Sequence, residues 1–226
     1  MKNEIANLPE IIRIYINEVA QKHSRKEIKL VLKSSSKLMK AIGWVLSVTK
    51  INPKFMQSYY TTIGSTIFIP DQALNLRINL FALLGVVIHE CVHIKDHSKY
   101  GVLYNFSYLF PQILSLFTLL SFFAIWFSNL WLLCLLFLLF LAPIPAWFRY
   151  HWEKRAYRTS FILFANESEE TKQQIRNWIV SELSKQYYYF AWPFPKNIDN
   201  DLKDMSFVNE KEYKEIEDFL KRHNLT

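Results

Sequence analysis

At 226 residues the chain has room for one ordinary domain plus an insertion. Its net charge of +7 is spread along the chain rather than gathered in one basic block, which gives nucleic-acid binding no support. Two cysteines, Cys91 and Cys134, form no disulfide framework and read as reduced packing residues. Met1 to Glu10 has no apolar signal-peptide core.

Pro9 to Gln21 reads as an amphipathic helix, with Ile11, Ile12, Tyr15, Ile16 and Val19 on one side, Asn7 as its cap and Pro9 in its first turn. Ile28 to Val48 is apolar and basic and is read as helical, although Ser34-Ser35-Ser36 works against that assignment. Phe55 to Ile69 is rich in strand formers on both sides of Gly64-Ser65, the pattern of a β-hairpin. Pro70-Asp71 ends it, and a helix is expected from Gln72 to Asp96, with Gly101 as a stop.

Between Lys99 and Arg149 there is no charged residue and no histidine. Ser107 to Phe127 and Leu130 to Phe148 form two apolar arms, each of the length that crosses a bilayer core as helix, joined at Ser128-Asn129. So short a turn implies an antiparallel hairpin. Tyr104, Tyr108, Trp126, Trp131, Trp147, Tyr150 and Trp152 fall where interfacial aromatics would lie, and Pro111, Pro143 and Pro145 near the arm ends. Lys95 and Lys99 precede the hairpin; Arg149, Lys154, Arg155 and Arg158 follow it. The positive-inside rule then places both chain termini in the cytoplasm. Beyond it, helices are expected over Arg149 to Phe164, Ser168 to Gln186 and Glu210 to His223, with the aromatic segment Tyr187 to Pro195 between the last two. The fold class is therefore α+β, mainly helical, with a small β-sheet and an inserted transmembrane hairpin.

The chemistry concentrates at His89-Glu90-Cys91-Val92-His93, an H-E-x-x-H pattern at the end of an apolar run. Histidines four apart share a helix face and can grip one metal ion, while Glu90 stands beside it as a general base. A catalytic zinc takes three protein ligands and keeps one open position. Glu153 is the first choice for the third, because an antiparallel hairpin returns the chain to the membrane face it left. His97, Asp96 and His151 are alternatives, and Asp96 and His97 also suit a helix cap or a second layer that orients ligands. Structural zinc sites are usually closed by four Cys or His ligands and need no glutamate at the position of Glu90.

The order of H-E-x-x-H helix, hydrophobic hairpin and E-x-x-A helix (Glu153 to Ala156) resembles the membrane-embedded gluzincins, the HtpX-type and CAAX-prenyl-protease-type zinc metallopeptidases, over Phe55 to Leu163. The resemblance implies a zincin-like core, His89, His93 and Glu153 as zinc ligands, and an active-site edge strand within Tyr59 to Pro70 that holds substrate backbone by strand addition. It also implies an Asp four residues after Glu153, where this chain has Tyr157. The expected organisation is an N-terminal helical segment (1–50), a catalytic core (51–106 and 149–165), the hairpin (107–148) and a C-terminal cytoplasmic helical region (166–226). The expected activity is hydrolysis of a peptide or protein substrate at the cytoplasmic face of a lipid bilayer, with zinc as cofactor and no nucleic-acid partner. A catalytically degenerate metal- or partner-binding membrane protein is the alternative.

Overall fold

The structure is a computed structural model and describes residues 9–24, 26–75, 80–142, 144–184, 191–204 and 211–225. Within these, the chain is mainly helical with one three-stranded sheet. Asn7, Pro143 and Tyr187 to Phe190 lie outside the described residues.

Helix α1 (Glu10–Val19) buries Ile12, Tyr15, Ile16 and Val19 and continues as one π-helical turn to Ser24. The next segment departs from the helical expectation. It divides into β1 (Lys29–Leu32), a 3₁₀ turn through the serines, and α2 (Lys37–Val48). The serines are the physical reason: Ser35 Oγ donates back to Leu32 O at 2.8 Å, and Ser36 Oγ accepts from Met39 N–H at 3.3 Å as the cap of α2. A short α3 (Phe55–Ser58) replaces the start of the expected hairpin, leaving β2 (Thr61–Ile63) and β3 (Thr66–Ile69). Their two-residue turn needs Gly64, at φ +60°. The sheet order is β1-β3-β2, with β1 parallel and β2 antiparallel to β3.

After α4 (Gln72–Asn75) comes α5 (Leu80–Tyr100), the axis of the fold. Leu84, Val87, Ile88, Cys91 and Ile94 recur at helical spacing and bury against α1, β1, β3 and α10 (Lys211–Arg222) through Tyr15, Leu30, Ile67, Ile216 and Phe219. Each such aliphatic side chain contributes roughly 1.5–3 kcal/mol by leaving water. The other side of α5 lies on α7 (Trp147–Ser160). A helix covered on two sides carries little amphipathic contrast, which explains why both its apolar and its polar residues are buried.

Gly101, at φ +57°, lets the chain leave α5 and start α6 (Val102–Leu109). The two arms follow as 3₁₀ helices, Gln112–Ile125 and Asn129–Leu141, shorter and more tightly wound than the expected arms. They run antiparallel: Phe117 meets Phe137 and Phe123 meets Trp131, both at 5.3 Å between ring centres. Among the described residues no single helix is long and apolar enough to cross a membrane. Val102–Leu109 and Gln112–Ile125 pass that test only as a pair bent by 90°. At the hairpin base, Arg149 Nε donates to Tyr108 O at 2.9 Å, and Gln112 Nε2 donates to Ile144 O at 3.1 Å.

Beyond α7 stand α8 (Glu169–Ser184) and α9 (Pro195–Lys203). A second apolar cluster, including Tyr150, Phe161, Ile179, Leu183 and Ile198, joins them to α7. Trp192 stacks on Tyr150 at 5.4 Å, so this part of the aromatic segment is core rather than a free groove wall.

Lys33, just after β1, is fully buried. Its Nζ donates to Phe55 O at 2.7 Å and lies 3.5 Å over the Phe55 ring. Burial pulls its pKa down to about 7, with Glu90 pulling weakly the other way. An unfolded lysine holds its proton to about pH 10.4. Between those values the unfolded chain binds more protons, so stability rises with pH. Thermal unfolding in detergent between pH 7 and pH 9 therefore shows about 2 kcal/mol of stabilisation that Lys33→Met lacks. Equal pH dependence in the two proteins would rule this out.

Candidate metal centre

His89 and His93 stand one turn apart on the α7-facing side of α5, and Glu153 is supplied by α7. All three are buried. His89 Nε2 lies 3.2 Å from Glu153 Oε2 and 3.2 Å from His93 Nε2; His93 Nε2 lies 3.5 Å from Glu153 Oε1. Such separations are compatible with the donor atoms of one metal ion. Ligand bonds of about 2.0–2.2 Å in tetrahedral geometry set donor atoms about 3.3–3.6 Å apart. Two imidazole nitrogens and a carboxylate therefore converge at the spacing one metal ion requires, and the group can hold one.

The electrostatics agree. Burial disfavours charge on His93 and on Glu153. The His93 charge and hydrogen bonds from both histidines nonetheless hold the Glu153 carboxyl well below the usual carboxylate range. Burial likewise pulls His93 down, but Glu153 outweighs it and raises the imidazole pKa. Positive charge at this point is what the site stabilises, and a metal ion supplies it without a proton.

α6 completes the site with two side chains whose place in the sequence suits a membrane interface. Tyr104 and Tyr108 lie one turn apart on one face of α6. Tyr104 Oη is 3.0 Å from His93 Nδ1, and Tyr108 Oη donates to Glu153 Oε1. With His93 Nε2 turned to the cluster, Nδ1–H donates to the Tyr104 phenol and fixes the ring. The available signal was their i, i+4 spacing directly after Gly101, which returns α6 along α5. Tyr104→Phe removes that acceptor, and metal affinity falls about 10–100-fold. Competition titration with a chromophoric chelator measures it, and unchanged affinity would exclude this role.

Tyr157, where the resemblance implies an Asp, packs its ring on His89 with centroids 4.4 Å apart. His89 Nδ1 is buried with no hydrogen-bond partner among the described residues.

The alternative ligands are placed elsewhere. Asp96 is buried against Arg155, with Arg155 Nη2 donating to Oδ1 at 2.5 Å, and thereby ties α5 to α7. His97 Nδ1 lies 3.2 Å from Asn105 Oδ1. His151 packs on the Trp147 ring at 3.9 Å. None of the three joins the donor group.

Glu90 points beside this group toward β2. Thr62 Oγ1 donates to Glu90 Oε2 at 2.6 Å. β2 is an edge strand, and Thr61 and Ile63 flank Thr62 in its register with β3. With Ile63 and Thr66 closing the two-residue turn, ladder alternation points the Thr62 backbone N–H and C=O to the open edge. His89 and Glu90 line a mainly apolar cleft of about 490 Å³, whose walls include Tyr60, Gly85, Tyr157, Phe161 and Trp178.

Comparison with protein-family models, curated proteins and solved structures returned no match. The functional reading rests on this geometry and on the sequence motif.

Proposed function

We propose that the chain is a zinc-dependent membrane endopeptidase of the gluzincin type, with His89, His93 and Glu153 as ligands and Glu90 as general base. The observation that carries the reading is the convergence of His89 Nε2, His93 Nε2 and the Glu153 carboxylate, at 3.2 Å between the imidazoles and 3.2 and 3.5 Å to the two carboxylate oxygens, with a second carboxylate, Glu90, beside them. Two imidazoles and one carboxylate form a donor set that suits zinc and leaves a coordination position open. When bound, zinc acidifies a water molecule and polarises a carbonyl.

The protein's residues do the rest. Glu90, steered by Thr62, accepts the water proton and passes it to the leaving amine. The open edge at Thr62 offers one backbone N–H and one C=O to an extended peptide, which fixes its direction across Glu90. The apolar cleft favours a large hydrophobic side chain next to the scissile bond.

The membrane part of the reading rests on the arms. A 3₁₀ helix rises about 2.0 Å per residue, so arms of 14 and 13 residues span about 28 and 26 Å, against about 30 Å of hydrocarbon. Leu116, Leu119, Leu133 and Leu139 face outward on them. Basic residues at the hairpin base favour a cytoplasmic site.

Two observations favour a second reading, a metal-binding protein without hydrolysis: Tyr157 stands in place of the Asp, and Nδ1 of His89, the ring it packs on, has no hydrogen-bond partner among the described residues. A single experiment separates the readings. The purified protein is assayed for zinc by elemental analysis and for cleavage of peptides with apolar residues, before and after chelation. One zinc per chain, with activity lost to chelator and restored by zinc, supports the peptidase. Zinc without cleavage supports the second reading. No zinc overturns both.

A further inference from the structure

Helix α2 is apolar on two opposite faces. Met39, Ile42, Gly43 and Leu46 turn inward, with Met39 and Gly43 buried. Gly43 packs so closely that a methyl group there would meet the Met56 side chain at 2.6 Å. At about 100° per residue, the opposite arc carries Leu38, Ala41, Trp44, Val45 and Val48, together with Lys37 at the helix start. On that arc Leu38 is 53%, Trp44 69%, Val45 48% and Val48 63% exposed. A helix lying on a protein surface normally turns polar residues to the side away from the core. Here the outer side is largely apolar, with Lys37 in its first turn as the only charged residue among it.

Charge narrows what covers it. Between Glu27 and Asp71 there is no acidic residue, while, besides the buried Lys33, Lys29, Lys37, Lys40, Lys50 and Lys54 are exposed in that stretch. Lys37 and Lys40 are exposed at the start of α2, and Lys50 and Lys54 are exposed just beyond its end. A second copy of the chain docking through this face about a two-fold axis would bring lysines toward their own counterparts, where like charges repel. An anionic surface meets no such conflict.

We propose that the outer face of α2 rests on an anionic lipid surface, with Leu38, Trp44, Val45 and Val48 set into the headgroup–acyl boundary and the flanking lysines on the phosphates. Trp44 takes the position that suits an interfacial indole. This contact lies at the bilayer surface and is separate from the hydrophobic arms. It holds whether or not the metal centre hydrolyses peptides.

Vesicle flotation does not decide the question, because the arms alone can carry the protein to lipid. A depth measurement at α2 does. The full chain is prepared with Cys134→Ser, leaving Cys91 buried and unreactive. A nitroxide is attached at Trp44→Cys or, on the polar flank, at Ser47→Cys. Each protein is reconstituted into phosphatidylcholine vesicles with and without phosphatidylglycerol. Accessibility to oxygen and to a water-soluble nickel chelate is then read by electron paramagnetic resonance. With phosphatidylglycerol, position 44 becomes several-fold more accessible to oxygen than to the chelate, and position 47 stays chelate-accessible. Lys37→Glu with Lys40→Glu abolishes the contrast. Equal chelate access at positions 44 and 47 in anionic vesicles overturns the inference and leaves the face to a protein partner. A contrast that persists unchanged without phosphatidylglycerol also overturns it as an anionic-lipid contact.

Discussion

Glu90→Gln is expected to lower peptide hydrolysis about 10²–10⁴-fold, the ordinary range for loss of a positioned general base, while zinc stays bound. Glutamine keeps the shape and still accepts the hydrogen bond from Thr62, so the buried pocket beside His89 loses neither volume nor a partner. What disappears is the ability to take a proton. Glu90 is not among the three converging donors, so the metal content of the variant is that of the parent. The measurement is kcat/KM on an apolar peptide together with elemental zinc on the same sample. Unchanged hydrolysis sinks the mechanism; loss of zinc would show that Glu90 is a ligand and the donor set is misassigned.

Glu153→Ala has the largest expected effect on the metal itself. It removes the only carboxylate of the group and leaves two imidazoles from one helix, a set that does not close a tetrahedral site. Zinc content falls from about one per chain to near zero, and hydrolysis falls with it. The fold is affected as well. In the metal-free protein Glu153 is the buried counter-charge of His93 and the acceptor for Tyr108. Removing one partner of a buried charged pair costs about 3–5 kcal/mol. Glu153→Gln separates the two effects, because it retains a hydrogen-bond acceptor for Tyr108 while weakening the metal site. Full zinc occupancy in Glu153→Ala would remove α7 from the site.

These variants probe different parts of one arrangement, and the parts were not equally legible in the chain. The H-E-x-x-H spacing shows on its face that His89 and His93 share a helical side, since the helix period makes residues four apart neighbours. The uncharged stretch between Lys99 and Arg149, its turn at Ser128-Asn129 and the mainly helical α+β character are equally local properties of composition and pattern. The hairpin around Gly64 is local too, because a two-residue turn needs a glycine there.

Other features depend on packing between distant segments. Whether Glu153, His97, Asp96 or His151 stands beside the histidines is decided by how α7 lies on α5. That arrangement gives Asp96 to Arg155 and leaves Glu153 facing the two imidazoles, while His97 meets Asn105 on α6 and His151 packs on Trp147 within α7 itself. β1 was hidden because a four-residue strand is stabilised by its parallel partner β3, far along the chain, and not by anything within it. Tyr104 and Tyr108 read as interfacial aromatics because a phenol looks the same in sequence whether it meets lipid or a ligand; only the return of α6 past Gly101 decides. Periodicity and composition thus determined the motif, the hairpin and the class of fold. The antiparallel return of the hairpin made Glu153 the first choice, and tertiary packing decided it against Asp96, His97 and His151, because a hydrogen bond between residues 64 positions apart carries no signature in local sequence.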